Sequence, residues 1–116
     1  MTSLRRRTTL LAAVTGSAFL MLLGSAATAN AAASVRYYDT APGIRLNVRS
    51  GPGTSYSITR VLTEGAKVPI YCQTPGSTVS GYYGTSNIWD NISNGEFVSD
   101  TYVHTGSDGY VADRCA

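Results

Sequence analysis

The side chains able to do chemistry are few and scattered. There is one histidine, His104, and there are two cysteines, Cys72 and Cys115. A hydrolytic triad through His104 would need a serine on a sharp strand-to-helix turn, and no Gly-x-Ser-x-Gly elbow occurs. A Cys–His hydrolase would need a free thiol. One His and two Cys do not make a zinc site with usable spacing. A calcium loop started at Asp90 fails at its third position, which is Ile92. No glycine-rich phosphate loop is present. The expectation is a protein that is not an enzyme and takes neither cofactor nor metal. Asp90, Glu96 and Asp100 are the carboxylates that could receive a cationic group, such as a free amine; solvated surface charge is the competing use.

Aromatic side chains are the richer signal. All eight tyrosines and the only tryptophan lie beyond residue 31, too many for a small domain to bury fully. Tyrosine offers a flat apolar face and a polar tip, which suits a peptide backbone or a sugar ring. Tyr56, Tyr82, Tyr83 and Tyr102 come from loops or strand ends and are expected to converge on one side. Trp89 joins them as a ligand-binding candidate, although Trp89 and Phe97 are also expected to be at least half in the core. The competing reading is that tyrosines cover strands simply because they favour them.

These residues need a scaffold, and the N-terminus is not part of it. Arg5-Arg6-Arg7, an apolar stretch from Leu10 to Leu23 and a run of small residues ending Ala29-Asn30-Ala31 read as an export signal over residues 1–31. Ala27-Thr28-Ala29 is the rival cleavage site. The apolar stretch is shorter than the ~20 residues that span a bilayer, so a retained anchor is disfavoured. Thr8-Thr9 after the arginines favours the general secretory route over the twin-arginine one. The formal charge of +2 owes much to this leader; beyond residue 31, six basic side chains face seven acidic ones. That balance of −1, with no basic cluster, argues against nucleic acid as a partner. After cleavage no membrane attachment is expected.

Export places Cys72 and Cys115 in an oxidising compartment, where an even pair is most simply one disulfide. The remaining 85 or so residues make one domain with a thin core, rich in Tyr, Gly, Ser and Thr. Leu46 and Val48 alternate with Asn47 and Arg49 as in a half-buried strand, and Gly51-Pro52-Gly53 breaks it. Ile58–Leu62 is a second strand, and Lys67–Gln73 a third with Pro69 marking an edge or bulge. Residues 74–87 read as a long loop, with Thr78–Ser80 as a possible short strand. Ile88–Ile92 and Phe97-Val98 pair across Ser93-Asn94-Gly95. Tyr102-Val103 and Tyr110-Val111 follow, and 94–97 and 100–103 are candidate spans for a turn of 3₁₀. Ahead of these, 32–45 holds an edge strand near Tyr37-Tyr38 and a Pro42-Gly43 turn. The pattern predicts an all-β fold, a small barrel or sandwich.

Leu46-Asn47-Val48-Arg49-Ser50-Gly51-Pro52-Gly53-Thr54-Ser55-Tyr56 resembles the signature segment of bacterial Src-homology-3 domains. Val61–Gly65, Trp89–Ile92 and Gly95–Val103 are similar to later segments of that family, in order. The resemblance implies an SH3-like barrel of five or six antiparallel strands over 46–116, with a C-terminal tail tethered by Cys72–Cys115. It implies a binding module of the cell envelope that holds wall peptide or glycan. The leader and closing Cys look like those of small exported actinobacterial proteins carrying this domain alone. Asn91 and Phe97 depart from the family's basic residue and Trp, and the 110–115 tail looks like an addition.

Most of the signature is architectural. Leu46, Val48, Val61, Val68 and Ile70 have core spacing; Gly51, Gly53 and Gly65 suit sharp turns; Pro52 stiffens its loop. Asn47 and Arg49 are expected to brace loop carbonyls. The expected protein is thus a monomeric, secreted, non-catalytic binder of wall peptide or glycan. The alternative is a secreted factor that regulates or inhibits an extracellular hydrolase.

Overall fold

The computed structural model describes residues 34–116, so the leader over 1–31 lies outside the described residues. Two antiparallel sheets, of five and three strands, enclose one core in a small SH3-like barrel. Strand β1 is Tyr37–Thr40, β2 Leu46–Arg49, β3 Ile58–Leu62, β4 Lys67–Pro69, β5 Cys72–Gly81, β6 Gly84–Ser93, β7 Glu96–Ser99 and β8 Val103–His104. The larger sheet runs β3-β2-β7-β6-β5 and the smaller β4-β1-β8.

The alternation in β2 is as expected: Leu46 and Val48 are buried and Asn47 is exposed. Opposite it, Leu62 pairs with Leu46 and reaches the core, whereas Val61 pairs with exposed Asn47 and is itself exposed. Paired residues share a face, so the register moves Val61 out of the core it was expected to join.

The single strand expected over Lys67–Gln73 is two strands in two sheets. The Ile70 N–H donates to the Arg36 carbonyl at 3.3 Å, and the next N–H, of Tyr71, donates to Asn91 at 2.9 Å. The backbone changes partner within one residue, just after Pro69, which has no N–H to give. Val68 and Ile70 remain buried together. This corner, with short β1 and β8, raises the count from five or six strands to eight.

The long loop expected over 74–87 is a hairpin. β5 and β6 pair from Cys72↔Asn91 to Gly81↔Gly84, with Tyr82 and Tyr83 at its tip. Pro75 is tolerated because β5 lies at the sheet edge and a bulge follows between Pro75 and Val79. Gly76 has a packing reason: a Cβ there would overlap the Pro52 carbonyl and come within 2.7 Å of the Trp89 indole. Gly76→Ala is therefore expected to destabilise by about 1–3 kcal/mol, measured by urea unfolding. The turn at Asn94-Gly95 is a two-residue hairpin with Gly95 at φ 73°, not a 3₁₀ turn; the 3₁₀ turn is Asp100–Tyr102.

β1 is not an edge strand. It is the middle of the smaller sheet, with Tyr38 opposite Val68 and Thr40 opposite Val103. Tyr38, Thr40 and Ala41 are buried, so the barrel begins at β1 and not at Leu46. The tail beyond His104 carries no strand at Tyr110-Val111; its one ladder pairing with the sheet is a parallel bridge between Gln73 and Arg114. Cys72 and Cys115 are joined as a disulfide. Val48 and Val98 lie fully inside a core completed by Leu46, Ile92 and Val103.

Candidate functional site

The 3₁₀ turn Asp100–Tyr102 separates two hollows. Ser99 caps it, its hydroxyl accepting the Thr101 N–H at 3.3 Å. Ser99 and Tyr102 line one hollow, while Asp100 and Thr101 line the other.

The first is a groove of about 300 Å³ between β2 and the β5–β6 hairpin. Leu46, Val79, Trp89 and Tyr102 give it apolar walls; Arg45, Asn47, Arg49 and Thr54 give it polar ones. Trp89 is only 2 % exposed, so it serves as floor and offers no open stacking face. Its Nε1 donates to the Ser77 carbonyl at 2.8 Å, fixing the ring. Ser77 also holds the loop opposite, its Oγ accepting the Thr54 N–H at 2.9 Å. Arg49 braces that loop as expected: Nη1 donates to the Thr54 and Tyr56 carbonyls at 3.0 and 2.9 Å. Asn47 makes no such brace among the described residues and simply lines the groove. Tyr102 is half-buried, and the hairpin packs over it so closely that a Cβ on Gly81 would sit 2.9 Å from its ring.

The second hollow is a cavity of about 450 Å³ walled by Tyr83, His104 and the 105–108 turn, with Asp100 and Asp108 as its acids. Tyr83 stacks on His104 at 5.2 Å between ring centres, 15° from parallel. Tyr82 meets Tyr83 edge-on at 4.7 Å. His104 is the last residue of β8.

The five aromatic candidates therefore do not converge on one side. Trp89 and Tyr102 meet in the groove. Tyr83 lines the cavity, and Tyr82 leans on it from the exposed hairpin tip. Tyr56 lines neither; its ring lies over Gly51, where any Cβ would come within 2.5 Å of it.

Of the three carboxylates that could receive a cation, Glu96 is taken by Arg60 at 2.9 Å and by the Thr59 hydroxyl at 2.7 Å. Asp90 is completely buried. Its Oδ1 accepts Gln73 Nε2 at 2.7 Å, and Gln73 reaches Asp100 Oδ1 at 3.4 Å. Burial, reinforced by Asp100 beside it, pushes the Asp90 carboxyl up to about 9. Burial raises Asp100 as well; the hydrogen bond from Asp90 opposes that rise and the charge of Asp108 adds to it. Burial beside Asp100 thus favours the protonated form of Asp90, while Asp90 Oδ2 is buried with no hydrogen-bond partner among the described residues.

Gln73 is the residue that sequence reasoning missed. Its Oε1 accepts the Val111 and Ala112 N–H groups at 2.7 and 2.9 Å, and its backbone bonds Asp113 and Cys115. One buried carboxamide thereby joins the diacid to the tail. Nothing in the local pattern marks it, since its partners are 17 to 39 residues away.

The stretch from β2 through the hairpin to the disulfide-bonded tail is matched in one comparison: residues 44–115 match the bacterial SH3 domain. The chain belongs to the bacterial SH3 domain family. The matched span includes the tail expected to be an addition, which is part of the domain. Among curated proteins, the bacterial SH3 domain chain is 47 % identical over 95 residues to the uncharacterized protein YraI of Bacillus subtilis (strain 168), covering 73 % of this chain and 80 % of that one. It is 49 % identical over 94 residues to the uncharacterized protein YraJ of the same strain, covering 72 % and 80 %. Both relatives come from a Bacillus, not an actinobacterium. Membership of the bacterial SH3 domain family marks the chain as a binding module.

Proposed function

We propose that this bacterial SH3 domain is a secreted, non-catalytic module that holds cell-wall peptide or glycan in the Trp89–Tyr102 groove. The observation that carries the reading is the groove itself: a fixed indole floor, a half-buried tyrosine wall and polar groups along one rim. An extended ligand would stack on Tyr102 and hydrogen-bond the rim, with Tyr82 and Tyr83 extending the contact at the hairpin and Tyr56 at the loop. A groove this small buries little area, so affinity is modest. The leader supports export through the general secretory route, and the disulfide is compatible with an extracellular location. The exported domain acts as a monomer.

Retention of the chain on purified peptidoglycan at low salt tests this reading. Tyr102→Ala is expected to lower retention roughly tenfold, the effect of removing an aromatic anchor, measured below the variant's own thermal midpoint because Tyr102 also packs against the core. No retention of the parent on several wall chemotypes would sink the proposal.

A second reading rests on the hairpin tip. Tyr82 and Tyr83 are exposed side by side, an arrangement suited to a protein partner such as an extracellular hydrolase held or inhibited by this factor. Co-purification from culture supernatant, lost with Tyr82→Ser and Tyr83→Ser, would favour it.

A further inference from the structure

The two hollows beside the 3₁₀ turn differ in charge. The groove carries Arg45 and Arg49 and no carboxylate. The cavity carries Asp100 and Asp108 and neither lysine nor arginine. The basic side chains elsewhere in the domain are engaged: Lys67 with Asp39, Arg60 with Glu96, Arg36 over the Tyr38 ring and Arg114 over the Tyr110 ring. Arg45 differs. It is exposed at the groove and forms no salt bridge, hydrogen bond or ring contact among the described residues. Arg49 spends only Nη1 on the loop carbonyls, and no other atom of its guanidinium is hydrogen-bonded among the described residues.

An unpaired arginine beside a second, pre-oriented one is an anion-binding arrangement. The planar guanidinium matches a carboxylate through two parallel hydrogen bonds. The rest of the groove selects among anions. Leu46, Val79, Trp89 and Tyr102 offer apolar surface to whatever carries the charge, and Asn47 adds an amide with no partner among the described residues. A bare inorganic anion would leave those walls unused, whereas a carboxylate on a small alkyl group would fill them. The acidic cavity on the other side of the turn repels the same group, so the two hollows sort ligand ends by charge.

We propose that the groove seats a free carboxylate borne on a small apolar carbon, held by Arg45 and Arg49. This rests on the groove being the wall-ligand site, and it names the part of the ligand that is recognised. In a cell wall that chemistry has two sources: the C-terminus of a short alanine-ended peptide, or the lactyl carboxylate of a sugar acid.

The test is an NMR titration of the leaderless chain, residues 32–116, which holds every strand of the fold. Acetyl-dialanine in both chiral forms represents the peptide source, and N-acetylmuramic acid the sugar source. Dialanine amide and N-acetylglucosamine are their uncharged counterparts. At least one acid is expected to shift the amides of Leu46, Ser99 and Tyr102, with binding roughly tenfold weaker for its uncharged counterpart and for Arg45→Ala. Which acid binds identifies the source. Arg45 has no partner among the described residues, so Arg45→Ala and Arg45→Glu should both fold, as unchanged amide spectra away from the groove would verify. Equal binding of acid and uncharged counterpart overturns the proposal. So does Arg45→Glu binding as tightly as the parent, or no binding of either acid. If the chain is retained on peptidoglycan while neither acid binds, the carboxylate assignment falls and the wall-binding reading stands. Loss of retention as well removes both.

Discussion

Raising the pH from about 5 to 9 is expected to weaken the fold, and Asp90→Asn to remove most of that dependence. The sign follows from the direction of the shifts. An unfolded aspartate has an ordinary pKa of about 3.9, whereas burial in the fold pushes the Asp90 carboxyl up to about 9. A group whose pKa rises on folding contributes stability that is fully present below the unfolded value and is lost as pH climbs through the folded one. Asp100 is raised too, so it works in the same direction. The groups facing the pair are the Gln73 carboxamide from β5, Asp108 from the turn and the tail held by Gln73; none is cationic. Once Asp90 loses its proton, two carboxylates face each other in a dry site. The loss over that range should be on the order of a few kcal/mol. Asp90→Asn keeps an oxygen for Gln73 but has no proton to lose. Its urea midpoint should therefore be nearly flat with pH and exceed that of the parent at pH 9. A parent midpoint that holds steady or rises between pH 5 and 9 would contradict a protonated Asp90. On the acid side, Asp39 and Glu96 are held low by Lys67 and Arg60, so their contributions are lost as pH falls below the ordinary carboxylate range. Both pairs are exposed and screened, so that limb is shallow.

Removing the disulfide is expected to be the costliest covalent change. Cys72 and Cys115 are 43 residues apart, and the chain-entropy relation gives roughly 4 kcal/mol for a loop of that size. For a domain with so thin a core, that is a large share of the net stability. Cys72→Ser with Cys115→Ser should lower the thermal midpoint by more than 10 °C, on a scale of about 4–8 °C per kcal/mol for a domain of this length. The tail has a second hold in Gln73, so the double variant should still fold in the cold, with the amides of Val111 and Ala112 exchanging faster than in the parent. A midpoint unchanged by reduction would mean that the Gln73 contacts alone close the barrel.

What was legible in the sequence was local. Leu46 and Val48 announce β2 by alternation, and Asn94-Gly95 and Gly65 announce their turns, with Gly65 at φ 75°. The pairing of the cysteines followed from their number and the leader. What was not legible depends on partners distant in the chain. Pro75, Gly76, Gly81 and Gly84 read as loop punctuation, yet they sit in a hairpin. Edge position admits the proline, and close packing on Pro52, Trp89 and Tyr102 requires two of the glycines. Trp89 read as only partly in the core, with a face left for ligand, because its strand alternates. In the fold both faces of β6 are covered at that point, and Ile88, Trp89 and Asp90 are buried in succession. Asp90 read as a surface charge because the sequence does not show that Gln73 and the tail will close over it.

The place of β1 sets the order of events during synthesis. Its two partners arrive late: Asp39 lies opposite Lys67, 28 residues on, and opposite His104, 65 residues on. The first strand made is thus among the last to be satisfied, and the covalent seal needs the penultimate residue of the chain. Contacts of such long range make for slow, cooperative folding. The barrel can therefore shut only after β8 and Cys115 have been made.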